Sequence, residues 1–98
     1  MDYLKLEGKD HPFLFAIKAS KEMQKADLQE KDDLYFIYLG LKYGAIREKK
    51  QFPYTEDALI DIFEDDLEAY EHACDLLGSH MGKLKKMKAK MMQALADQ

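Results

Sequence analysis

From Leu34 to Ile46 the chain places ten large or apolar side chains in thirteen positions, with Lys42 as the one charged residue. Leu34, Ile37, Leu41 and Ala45 recur at helical spacing, while Tyr35, Tyr38, Leu39 and Ile46 fill most of the remaining faces. A helix apolar on nearly every side is one surrounded by neighbours, so the spacing predicts a buried central helix. Tyr, Phe and Ile also favour sheets. The run is too long for one strand, however, and Gly40-Leu41-Lys42-Tyr43-Gly44 does not alternate. Gly40 and Gly44 would each destabilise such a helix by about 1 kcal/mol relative to Ala. Their spacing puts them on one face, so either another backbone approaches there or Gly44 lies near the helix end as a cap.

Around this helix the chain reads as an α+β domain, mainly α, with a short N-terminal β-hairpin packed on a small bundle of four to five helices. Residues 1–15 look extended: Leu4 and Leu6 alternate with polar neighbours, Gly8-Lys9-Asp10 supplies turn residues, and His11-Pro12-Phe13-Leu14-Phe15 forms a second run. Pro12 cannot donate to a ladder, which predicts an edge strand starting at that residue. Residues 16–78 make the helical core. Ala16, Ala19, Met23 and Ala26 lie on one side of a first helix, and Asp27-Leu28-Gln29-Glu30 resembles a capping box that would start the central helix near Leu28. The polar segment from Arg47 to Pro53 is a surface loop, after which Thr55 caps a third helix whose stripe runs Leu59, Ile62, Phe63, Leu67, Tyr70, Cys74 and Leu77. Asp65 or Asp66 could divide it, so the pattern allows one bent helix or two. Gly78-Ser79-His80-Met81-Gly82 would close it. The expected core contains Leu6, Phe13, Phe15, Leu34, Ile37, Leu41, Leu59, Phe63, Leu67 and Tyr70.

Residues 83–98 then form a basic amphipathic C-terminal helix. Leu84, Met87, Met91 and Leu95 make a narrow apolar seam, with Lys83, Lys86 and Lys90 among the lysines around it. Methionines make adaptable apolar contacts, and a lysine-flanked seam suits a groove in a partner protein. These seven residues are the candidate partner-binding site. The same pattern fits a further bundle helix with solvated lysines, and a membrane-surface helix shares it but would require aromatic anchors that the segment lacks. Charge is segregated beyond this helix: every charged residue from Glu56 to Asp75 is acidic, and every one from Lys83 to Lys90 is basic.

Other classes find less support. A 98-residue chain is one domain with one modest core. Its net charge of −4 argues against general affinity for nucleic acid. It lacks an apolar run of membrane-spanning length and a signal-peptide pattern, and Cys74 is the lone cysteine, all of which predicts a cytoplasmic protein. His72, Cys74, Asp75 and His80 are metal-ligating types, yet His72 and Cys74 point to different sides of a helix and no CxxC or HExxH spacing occurs. Acidic surroundings disfavour a Cys74 thiolate, and paired carboxylates such as Asp65-Asp66 diverge on a helix. The expectation is therefore a non-catalytic protein without cofactor or metal. High apolar content, a hairpin edge and patches of opposite sign predict self-association.

The order of elements resembles the small tail assembly chaperones of long-tailed bacteriophages and prophages. The resemblance is carried by Leu6-Glu7-Gly8-Lys9-Asp10-His11-Pro12-Phe13-Leu14-Phe15, like that family's opening extended segment, and by the apolar helix from Leu34 to Leu41. After a polar loop, Thr55-Glu56-Asp57-Ala58-Leu59-Ile60-Asp61 is similar to its Thr-initiated acidic helix. Lys25-Ala26-Asp27 stands where the family has a Glu and a small Thr-Gly turn. The resemblance implies a chaperone that binds the tape measure protein, and the tail tube subunit as a second partner, while the tail is built. The competing class is a helical adaptor or regulator of a bacterium with no phage role.

Overall fold

A computed structural model describes residues 1–26 and 32–96, with the side chains at 87–89 and 91–96 outside that description. The described elements are β1 (Asp2–Leu6), β2 (Lys9–Phe13), α1 (Ile17–Lys25), α2 (Asp33–Arg47), α3 (Glu56–Asp65) and α4 (Leu67–Ala96). The architecture is α+β and mainly α, with an N-terminal antiparallel hairpin laid on helices. Glu7 and Gly8 alone make the hairpin turn, both at positive φ (50° and 80°), the backbone that a two-residue type I′ turn requires. Lys9 and Asp10, expected in the turn, therefore belong to β2, because this turn matches strand twist without extra residues. Pro12 lies opposite Tyr3 rather than at the strand's start. Counting from the turn, that pair is a non-hydrogen-bonded one, so the missing N–H leaves no gap in the ladder.

The outer edge of β2 is covered by α2. Leu14 N–H donates to the Gly40 carbonyl at 2.9 Å, and a Cβ on Gly44 would overlap the Pro12 carbonyl while one on Gly40 would overlap the Phe13 ring. Close approach, not capping, explains both glycines. The cap lies farther on. Lys49 adopts φ 60°, with Lys49 N–H on the Ile46 carbonyl and Lys50 N–H on that of Ala45, a Schellman arrangement completed without glycine. At its other end α2 begins at Asp33, not near Leu28. Asp32 is extended and its side chain accepts the Tyr35 N–H at 2.8 Å, so it holds the capping role expected of Asp27, which lies outside the described residues. Buried Ile37, Leu39 and Leu41 join Leu4, Leu6, Phe13, Phe15 and Leu59 to form the centre of the core. On the same face of the hairpin as Leu4, its cross-strand partner, His11 is wedged edge-on against Phe52 and Tyr54, and Tyr54 Oη donates to Glu7 at 2.9 Å.

The acidic stretch is two helices. Thr55 Oγ1 accepts the Ala58 N–H and caps α3, and Asp66 Oδ1 accepts the Ala69 N–H and caps α4. The break resets the helical phase. Leu67, expected in the core, stands 72% exposed, and Tyr70 and Cys74 are only half-buried. The buried stripe is instead Ala69, Ala73, Leu77, His80 and Leu84. Small alanines let the helix come close to its neighbours, a role that a search for large apolar residues overlooks. The expected stop at Gly78 to Gly82 does not occur, because α4 continues through both glycines for 30 residues. A Cβ at either would meet nothing within 4 Å, and the docked Leu77, His80 and Leu84 on either side hold the backbone helical. Residues 83–96 are therefore the continuation of α4 rather than a helix of their own.

Candidate docking surface

Thirty helical residues extend about 45 Å, close to the 51 Å long axis of the described molecule. The first half of α4 is bound to the body through its stripe at 69, 73, 77, 80 and 84, whose steps of four, four, three and four keep one face inward. The candidate seam continues that register, since positions 87, 91 and 95 follow 84 at steps of three, four and four. Leu84 itself, counted in sequence as part of the seam, is 7% exposed and packs in the core. It is the last buried position among the described side chains. Lys83, Lys85, Lys86 and Lys90 are exposed. The backbone is helical at Met87, Met91 and Leu95, whose side chains lie outside the described residues.

His80 anchors the root of this projection. Its Nδ1 accepts the buried Phe15 N–H at 3.1 Å, which leaves Nε2 to carry the proton and donate to Asp2 Oδ2 at 2.7 Å. Its ring meets Phe13 edge to face at 5.0 Å between centroids. The bond from His80 holds the Asp2 carboxyl below its ordinary range; partial burial opposes this, and the nearby charges of Lys83 and the N-terminus add to it. Asp2, His80, Lys83 and Leu84 border a cleft of about 360 Å³. With both ring nitrogens engaged, His80 is a fastener between the hairpin and α4 rather than a free base. Sequence reasoning grouped it with His72 and Cys74 as a metal-ligating type. The signal that finds it is register, since it falls on the stripe between Leu77 and Leu84.

His72 is exposed and Cys74 half-buried. Among the described residues, no group of three or more His, Cys, Asp or Glu side chains is placed to hold a metal ion, and no helix is long and apolar enough to cross a membrane. A second fastener lies between α1 and α2, where Lys42 Nζ meets Glu22 Oε1 at 2.9 Å. Burial is the largest influence on Glu22 and works against its charge, but the hydrogen bonds from Lys42 and Tyr43, with the charges of Lys42 and Lys25, together outweigh it and hold the carboxyl below its ordinary range. No family model, curated protein or solved structure matches the chain.

Proposed function

We propose that the chain is a non-catalytic, protein-binding chaperone that presents the C-terminal half of α4 to its partner. The observation that carries this reading is the unbroken course of α4 beyond Leu84, with Lys83, Lys86 and Lys90 exposed around it. A helix held in its binding conformation by a docked first half loses less conformational freedom on association than a disordered tail would. An apolar seam flanked by lysines then favours a partner groove with an acidic rim.

The layout resemblance supplies the specific partner. The chain would act in the bacterial host cytoplasm as a tail assembly chaperone, binding the tape measure protein and keeping it soluble until the tail tube forms around it. The test is co-expression with the tape measure protein encoded beside this chain's own gene. Co-purification of the two, and loss of tape measure solubility without this chain, is the expected result. If tail tube and tape measure genes do not flank the gene, the partner is a bacterial one and the chain an adaptor.

A further inference from the structure

Two apolar patches on this molecule carry rims of opposite charge. The first is a groove of about 430 Å³ between the start of α1 and the end of α2, floored by Ala19 and Tyr43. Ile17 and Ile46 stand at its mouth, 55% and 47% exposed, and Lys18, Arg47 and Lys49 form its rim. The left-handed backbone at Lys49 turns the chain there, so the rim residue and the α2 terminus share one edge. The second patch centres on Leu67, which projects from the first turn of α4 beside a shallow apolar depression formed by Leu34, Ile60 and Tyr70. Around it Asp61, Glu64, Asp65, Asp66 and Glu68 are all exposed, and from residue 51 to 82 the sequence has no lysine or arginine.

Exposed large apolar side chains ringed by charge have the anatomy of an interface, with a dry centre and a polar rim. Neither patch can pair with itself, because like charges would meet across the contact. Each suits the other. We propose that the Leu67 patch of one copy seats in the Ile17 and Ile46 groove of a second copy, with Glu64, Asp65 and Glu68 facing Lys18, Arg47 and Lys49. Because the two surfaces differ, the contact is heterologous: every copy keeps one unused groove and one unused Leu67 patch, so assembly continues into a closed ring or an open filament. It uses no residue of the α4 tail and does not depend on which protein the tail binds.

Mixing two disabled variants tests it. Arg47→Glu with Lys49→Glu removes the groove's rim, and Leu67→Ser removes the knob; each side chain is exposed, so unchanged circular dichroism is expected. In sedimentation velocity, the wild-type chain grows with concentration beyond a dimer, each variant alone stays monomeric, and an equimolar mixture stops at a dimer, because only one productive contact remains. Ile46→Glu serves as a second groove variant and gives the same result. A chain cut after Lys86 associates as the full chain does. A wild-type monomer at all concentrations, variants that still assemble, or a mixture that stays monomeric would overturn the proposal. Loss of assembly on cutting the tail would overturn it too, since the tail of another copy would then be what covers the acidic face.

Discussion

His80 on α4 accepts the backbone N–H of Phe15, 65 positions earlier, through Nδ1 at 3.1 Å. This bond ties the segment leaving the hairpin to the middle of the long helix. Replacing His80 by Leu keeps much of the packing but strands a buried N–H, for a loss of about 1–3 kcal/mol. His80→Asn retains an acceptor near the Nδ1 position and should lose less. Urea unfolding of the two variants beside wild type gives the comparison, and equal losses would mean that packing alone matters.

Acid should destabilise the fold in two stages. Burial pushes the His11 imidazole below its ordinary 6.5, with Lys9 adding to the effect, so the folded state resists a proton that the unfolded chain takes up. Stability present above pH 6.5 is therefore lost as pH falls from there through the lower folded value. Asp2 and Glu22, both depressed in the folded state, contribute above their ordinary 3.8 and 4.5 and lose that contribution as pH falls through their folded values. Melting temperature against pH should drop first from mildly acidic conditions and again in the carboxylate range. His11→Phe should remove the first drop, and Asp2→Asn with Glu22→Gln should flatten the second.

The four helical glycines divide into two pairs with opposite outcomes. Alanine at Gly78 or Gly82 meets open space in mid-helix and should stabilise by about 1 kcal/mol each. At Gly44 the added methyl would strike the Pro12 backbone, and at Gly40 the buried Phe13 ring. Overpacking of this kind costs about 1–3 kcal/mol, more at Gly44 because backbone yields less than a side chain. Thermal melts of the four single variants should show two rises and two falls.

Lys49 holds a left-handed conformation at φ 60° that costs a side-chain-bearing residue about 1–2 kcal/mol. Lys49→Gly should raise stability by about 1 kcal/mol. No gain in a urea midpoint would show that the turn is not strained.

The hairpin and the central helix were legible because each rests on local pattern, alternation in one and all-round apolarity in the other, whereas the close approach at Gly40 and Gly44 stood beside a cap at Gly44 as one of two readings. The α3–α4 break at Asp66 was legible only as an alternative. Its consequence, the loss of Leu67 from the core, was not, because shifting a helix by a fraction of a turn changes which residues face inward without changing the residues. The continuation of α4 through Gly78 and Gly82 was hidden for a related reason. Local propensity favours a stop there, and only tertiary contacts at Leu77, His80 and Leu84 outweigh it. In the candidate site the lysines were found by composition, whereas the core role of Leu84 depends on where the body ends.

The most direct measurement on the docking account is a chain cut after Lys86, followed by thermal melting and titration calorimetry against the tape measure protein in parallel. Removing only what lies beyond the last described body contacts should leave the melting temperature within a few degrees, while binding of the partner disappears. In the full chain, raised ionic strength should weaken but not abolish binding, since lysine contacts are screened and apolar ones are not. A truncated chain that binds as tightly as the full one, or one that unfolds, would contradict the account.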